Sequence, residues 1–268
     1  MSVRIVIIRH GERMDRFMEA QGMDWLSTAQ RPQDPSLSPF GEKQIVQVSD
    51  RIKKCLKPGT TKILSSPLVR CVQTSTLLAQ EIGFAHKIVV EDGLMEDAKS
   101  MRGREIGEKK PVWTPTLVLK PNRLQEFSPI LDAASESMVK VTHVKDEAVR
   151  NNVREIHQHD SSITDVDEVT LARVRLLLNK LISLLQEKRG ISNLCLCSHG
   201  CVVKLLAAEM GAKFSKKCAV AGWCAFDLDV DRAAKEGWAA GTASPVFSEW
   251  QQADIVGNED AMDSGIGV

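Results

Sequence analysis

His10 and His199 occupy the same kind of place in the chain: each follows an apolar, strand-like run and precedes a glycine. The first run, Val3-Arg4-Ile5-Val6-Ile7-Ile8, stops at Arg9-His10-Gly11-Glu12-Arg13. The second, Asn193-Leu194-Cys195-Leu196-Cys197-Ser198, stops at His199-Gly200. Such runs read as buried parallel strands that deliver side chains to a sheet's carboxyl edge, where open α/β sheets bind ligands. Guanidinium groups from Arg9 and Arg13 on either side of His10 suit a strongly anionic partner, and a phosphoryl group attacked by His10 fits that chemistry. Arg70 adds a further cation. It falls in the first turn of a helix that follows a strand at 62–65 and opens with Ser66-Pro67, read as a cap and first-turn pair, where free amides favour an anion. Glu96, just beyond a strand at 87–91 and the turn Asp92-Gly93, again sits near a strand end. Glu91, Asp92 and Asp97 are its acidic neighbours, and Glu12 follows His10 and Gly11.

These residues need a scaffold that brings strand ends together. After Arg13, residues 14–35 have no clean period and read as a loop with one short helix over the mouth of the site. Ser38-Pro39 starts a helix whose apolar positions Ile45, Val48, Ile52 and Leu56 recur at helical spacing until Pro58-Gly59. Residues 165–189 carry the longest amphipathic pattern, and 201–210 form the helix after His199. Residues 223–230 alternate as another strand, with one more expected at 245–250. The strand–helix alternation predicts an α/β three-layer sandwich, with a mostly parallel central sheet and helices on both faces. Pro111, Pro115, Pro121 and Pro129 break up residues 98–165, which read as a mainly helical or irregular cap insertion without strands of its own. A single domain over 1–250 is expected, and the acidic, glycine-containing tail 251–268 is expected to be poorly ordered.

Composition excludes several classes. The 268 residues carry 35 basic and 35 acidic side chains, so no global field draws nucleic acid or an anionic membrane. No run is long and apolar enough to span a bilayer, and the chain opens directly on a strand pattern. The seven scattered cysteines read as reduced thiols, which predicts a soluble, cytoplasmic protein. Cys195 and Cys197 share a strand face near Cys201, and His157-Gln158-His159 places two histidines on one side of a segment. Core thiols and a solvated polar stretch are the readings preferred over metal or redox sites.

Five segments in order resemble the histidine phosphatase superfamily, which includes phosphoglycerate mutases and acid phosphatases. They are Arg9-His10-Gly11-Glu12, Leu37-Ser38-Pro39-Phe40-Gly41-Glu42-Lys43-Gln44, Ser66-Pro67-Leu68-Val69-Arg70-Cys71-Val72-Gln73-Thr74, Gly93-Leu94-Met95-Glu96 and Ser198-His199-Gly200. Residues 9–15 and 70–74 are most similar to a narrower branch, the suppressor-of-T-cell-receptor-signalling and ecdysteroid-phosphate phosphatases. Pro111-Val112-Trp113-Thr114-Pro115 also resembles that branch's cap. Mutases generally carry a small polar residue where Arg13 stands.

The resemblance implies a metal-independent phosphomonoesterase with no cofactor. His10 would become a phosphohistidine, while Arg9, Arg13, Arg70 and His199 hold the phosphoryl oxygens. Glu96 would protonate the leaving group and then activate water. A phosphorylated small molecule, a phosphosteroid or phosphotyrosine is the implied substrate, and a homodimer is the assembly left open. The alternative enzyme is a phosphoglycerate mutase, to which Lys99, Arg102 and Arg104 could lend a carboxylate site. The alternative outside enzymes is a non-catalytic phosphate-binding domain.

Overall fold

The computed structural model describes residues 1–29, 34–84, 86, 88–96, 139–141, 166–238 and 241–255. Seven strands form one sheet: β1 (Ser2–Arg9), β2 (Thr60–Ser65), β3 (Ile88–Val90), β4 (Val139–Val141), β5 (Ile191–Ser198), β6 (Trp223–Asp229) and β7 (Ala243–Pro245). Their spatial order is β4-β3-β2-β5-β1-β6-β7. β4 through β1 are parallel, and β6 pairs antiparallel with both β1 and β7.

The period-2 alternation of a strand divides the core between two faces. Val3, Ile5 and Ile7 of β1 join Leu194 and Leu196 of β5 and the apolar side of α5 (Val166–Glu187), α6 (Gly200–Glu209) and α7 (Val230–Glu236). Val6, Ile8, Cys195 and Cys197 face the other way, against α3 (Pro39–Cys55) and α4 (Val69–Ile82). Because β1 and β5 are covered on both sides, each carries a continuous apolar run, Ile5 to Ile8 and Leu194 to Cys197, rather than an alternation. The result is the expected three-layer α/β sandwich.

Several local expectations change. Residues 14–35 contain two short helices, α1 (Met14–Ala20) and α2 (Trp25–Thr28), rather than one. The last strand among the described residues is Ala243–Pro245, earlier than the expected 245–250. Its pairing is set by β6, with Ala243 opposite Leu228 and Pro245 opposite Phe226. The insertion contributes β4, whose three residues extend the edge of the main sheet beside β3. The rest of 98–165, including His157 and His159, lies outside the described residues.

The tail is docked as far as residue 255. Gln251 pairs through its backbone with Trp223, Arg51 Nη1 donates to the Gln252 carbonyl, and Gln47 and Gln44 take the Asp254 amide and the Ile255 carbonyl. Hydrogen bonds to β6 and α3, with the packing of Ala253 beside them, hold this segment, and a composition-based reading misses such partners.

Candidate active site

The parallel register sets the site. Arg9 of β1 pairs with Ser198 of β5, so the next residues, His10 and His199, leave the sheet side by side. Their ring centroids lie 5.3 Å apart. Ser65 of β2 pairs with Cys197 and with Val90 of β3, which brings Ser66 and the segment leading to Glu96 to the same edge. The chain skips a place between β1 and β2 and later fills it with β5. The crevice at this change of direction is where such sheets bind ligands.

His10 is fully buried and its protonation pattern can be assigned. Nδ1 lies 2.8 Å from the Gly11 carbonyl, which can only accept, so Nδ1 carries the proton and Nε2 keeps its lone pair. Burial, and after it the charges of Arg70 and Arg9, hold the imidazole well below its ordinary pKa. His199 is neutral for the same leading reason, with Arg70, Arg173, Arg13 and Arg9 adding to the shift. Its tautomer is the opposite one. Arg70 Nη2 lies 3.2 Å from Nδ1, and a guanidinium has no lone pair, so Nδ1 accepts and the Nε2–H faces Ser66 Oγ at 2.7 Å.

Arg70 is fully buried in the first turn of α4. Its Nη2 donates to Glu96 Oε2, and its Nη1 lies 3.5 Å from Asp34 Oδ1. Glu96 Oε2 is also 3.9 Å from His199 Nδ1. Arg9 packs along the start of α6 and donates from Nη1 to the Cys218 carbonyl at 2.8 Å. Arg13 caps α1 in position only, and its Nε and Nη2 engage both oxygens of Asp15 at 2.9 and 2.5 Å. The structure therefore brings His10, His199, Arg70 and Glu96 into one cluster, with Arg9 and Arg13 close enough for their charges to act on His199.

Two of the neighbouring carboxylates, Glu91 and Glu12, are committed elsewhere. Glu91 accepts from the Gly93 amide and pairs with Lys180 on α5. Glu12 accepts from Ser38 Oγ at 2.6 Å. The expected Ser66-Pro67 cap is corrected. Helix α4 starts at Val69, its N-cap residue Leu68 offers no side-chain acceptor, and Ser66 Oγ takes the Leu68 amide only at 3.5 Å while lying 2.7 Å from His199 Nε2. The Val69 amide is met from outside by Asp34 Oδ1 at 3.0 Å.

Asp34, Ser66 and Arg173 are the site residues that sequence reasoning missed. Arg173 is buried on α5 and donates from Nη2 to the Glu96 carbonyl at 3.5 Å. A charged residue on the apolar side of an amphipathic helix was the available signal. Cys71 also lies against His199, with Sγ 3.5 Å from Nε2. Burial raises its thiol well above the ordinary value and pushes Cys195 up to about 12, which suits packed thiols rather than reactive ones. Among the described residues no group of His, Cys, Asp and Glu side chains is arranged to hold a metal ion. No helix among them is long and apolar enough to cross a membrane.

Comparison with known proteins bears on the family and the fold. The profile of the histidine phosphatase superfamily (branch 1) matches residues 5–159. No curated protein sequence matches the chain. Among solved structures, the chain is similar to the protein histidine phosphatase SixA complexed with tungstate, at 13% identity over 93% of this chain and 97% of that one, with a TM-score of 0.50. It is also similar to the ecdysone phosphate phosphatase of Bombix mori in complex with tungstate, at 15% identity over 84% and 88% with a TM-score of 0.49. A mycobacterial glucosyl-3-phosphoglycerate phosphatase is 18% identical over 96% and 99%, with a TM-score of 0.47. At these identities the likeness to SixA speaks for the fold alone.

Proposed function

The chain belongs to the histidine phosphatase superfamily, branch 1, and on that premise we propose that it is a metal-independent phosphomonoesterase acting through a phosphohistidine on His10. One observation carries the reading. His10 is neutral with its proton committed to the Gly11 carbonyl, so Nε2 offers a lone pair beside a guanidinium–carboxylate pair. That is the state a nitrogen nucleophile needs, and neighbouring cations maintain it until an anion arrives.

In the proposed cycle the phosphoryl dianion takes the place of the Glu96 carboxylate on Arg70. Glu96, now facing a dianion rather than a cation, takes up a proton, because a like charge disfavours its ionised form. The His10 Nε2–P bond forms as the ester O–P bond breaks, and Glu96 gives its proton to the departing oxygen. Glu96 then accepts a proton from water as the water oxygen attacks phosphorus. The N–P bond breaks, and inorganic phosphate and neutral His10 are released. Arg9, Arg13 and Arg70 neutralise the equatorial oxygens, the part of the work that in other phosphoryl-transfer enzymes falls to a metal ion. His199 takes up a proton on Nδ1 once Arg70 turns to the substrate, and becomes a further donor to the same oxygens.

Residues 9–15 and 70–74 favour a phosphatase over a mutase, since Arg13 stands where mutases carry a small polar residue. Small phosphate esters, phosphosteroids and phosphotyrosine are the substrate classes to assay. The test is hydrolysis of an aryl phosphate and of phosphoglycerates by wild type and His10→Ala in the presence of a chelator. Wild type is expected to release phosphate with the chelator present, and His10→Ala to lose at least about a thousandfold in kcat. Hydrolysis that survives in the alanine variant, or disappears on chelation, would sink the mechanism. Phosphoglycerate isomerisation without net phosphate release would move the assignment to a mutase.

A further inference from the structure

Arg70 is held from two sides, and the two carboxylates that hold it are not equivalent. Glu96 meets Nη2 from the segment after β3 and is only partly buried. Asp34 meets Nη1 from the loop before α3 and is 2% exposed. One oxygen of Asp34 serves two partners: it accepts from the Val69 amide at 3.0 Å and lies 3.5 Å from Arg70 Nη1. The same atom therefore holds the start of α4 by a hydrogen bond and faces the tip of the second residue of that helix as an ion pair without a hydrogen bond. Leu68, the N-cap residue, supplies no acceptor of its own, so this carboxylate is the side-chain cap of α4.

The proposed reaction separates the two roles. Glu96 must leave Arg70 to serve the leaving group, whereas Asp34 stays tied to a backbone amide throughout. Electrostatically, Asp34 is a handicap for a site that binds a dianion, because it cancels part of the positive charge of Arg70. A buried carboxylate that weakens ground-state attraction is best explained by what it does to geometry. We propose that Asp34 is a positioning residue that keeps the Arg70 guanidinium aligned with the phosphoryl oxygens during the interval when Glu96 has let go. The inference rests on the phosphohistidine reading above.

Charge and alignment predict opposite signs, which makes the proposal testable. Asp34→Asn keeps an oxygen for the Val69 amide and removes the charge. Its kcat on an aryl phosphate should fall by about tenfold or more, because a misaligned donor is lost mainly in the transition state. The inhibition constant for inorganic phosphate should stay within about threefold of wild type or fall, since the site becomes more positive. The constant for orthovanadate, which mimics the five-coordinate transition state, should rise by about tenfold. A merely structural role leaves the ratio of the two constants unchanged. Equal movement of both inhibitors, or a kcat within about threefold of wild type, overturns the proposal.

Should the asparagine variant fail to fold, Asp34→Glu retains the charge and displaces it by about one bond length. It should show the same vanadate–phosphate split in smaller degree, and an unchanged ratio overturns the proposal equally. In an Arg70→Ala background, Asp34→Asn should cost nothing further in kcat, and a full additional loss also overturns it. Failure of the underlying reading has a different signature, namely hydrolysis that persists in His10→Ala.

Discussion

The two buried imidazoles share a charge state but not a tautomer, and each tautomer is set by a single neighbouring atom. The Gly11 carbonyl fixes the proton of His10 on Nδ1, while Arg70 forces His199 to carry its proton on Nε2. Keeping both neutral has a consequence for stability. In the unfolded chain histidines titrate near pH ~6.5, whereas burial first, and cationic neighbours after it, hold both folded values well below that. As pH falls through the unfolded value, the unfolded state binds protons that the folded state refuses, so stability drops on the acid side. The slope reaches at most about 1.4 kcal/mol per pH unit for each histidine. The melting temperature of the wild type should therefore fall between about pH 7 and about pH 5, by an amount that shrinks in a His10→Gln, His199→Gln double variant. Equal acid sensitivity in both proteins would assign the effect to other groups.

At the scale of elements, the turn after β1 and the start of α3 are built as one unit. A Cβ on Gly11 would stand 2.6 Å from the Gly41 carbonyl oxygen, and a Cβ on Gly41 would stand 2.3 Å from the Glu12 carbonyl oxygen. Backbone meets backbone at a distance that only glycine allows on both sides. The contact is then sealed by Ser38, whose amide donates to the Glu12 carbonyl and whose hydroxyl donates to the Glu12 side chain. Gly41→Ala should destabilise the fold by about 2–3 kcal/mol through forced separation of the two segments. It should also lower kcat, because the turn that moves carries His10. Urea denaturation and steady-state assays on one preparation would check both, and wild-type values for either would remove the turn from the list of constraints on the site.

How much of this was legible beforehand depended on whether the signal was local. The strand–histidine–glycine pairs, the helix opened by Ser38-Pro39 and the long α5 pattern are local, and the structure has them where residue types and spacing put them. Ser66 was read as a helix cap because serine before proline is a local rule. A tertiary partner, His199, donates to its oxygen at shorter range than the Leu68 amide does, and Asp34 caps α4 from 35 residues away. Arg173 on the buried side of α5 and the hydrogen-bonded docking of residues 251–255 also depend on partners distant in sequence. Chemistry concentrated at strand ends was readable, whereas the groups that brace it were not.

Taken as a whole, the molecule connects its signature turn to its last described segment through one side chain. Gln44 is fully buried on α3, and its Oε1 accepts from the Glu12 amide while its Nε2 donates to the Ile255 carbonyl. Along the way Gln47 receives the Asp254 amide, Arg51 holds the Gln252 carbonyl, and Gln251 exchanges both backbone hydrogen bonds with Trp223 on β6. Residues 251–255 thus tie β6 to α3 across one end of the sheet. Ending the chain after Trp250 leaves the Trp250–Phe214 ring contact in place and removes these polar ties together with the packing of Ala253 against the core. Because each hydrogen bond contributes about 1 kcal/mol net, and some groups regain water, the truncated protein should lose about 2–4 kcal/mol of stability. Gln44 keeps its bond to Glu12 in that protein, so the turn bearing His10 remains supported and kcat at low temperature should stay within about threefold of wild type. A urea titration read alongside kcat separates the two effects. A large loss of kcat with unchanged stability would instead make the segment part of the catalytic machinery, and unchanged values of both would mean that its hydrogen bonds merely replace bonds to water.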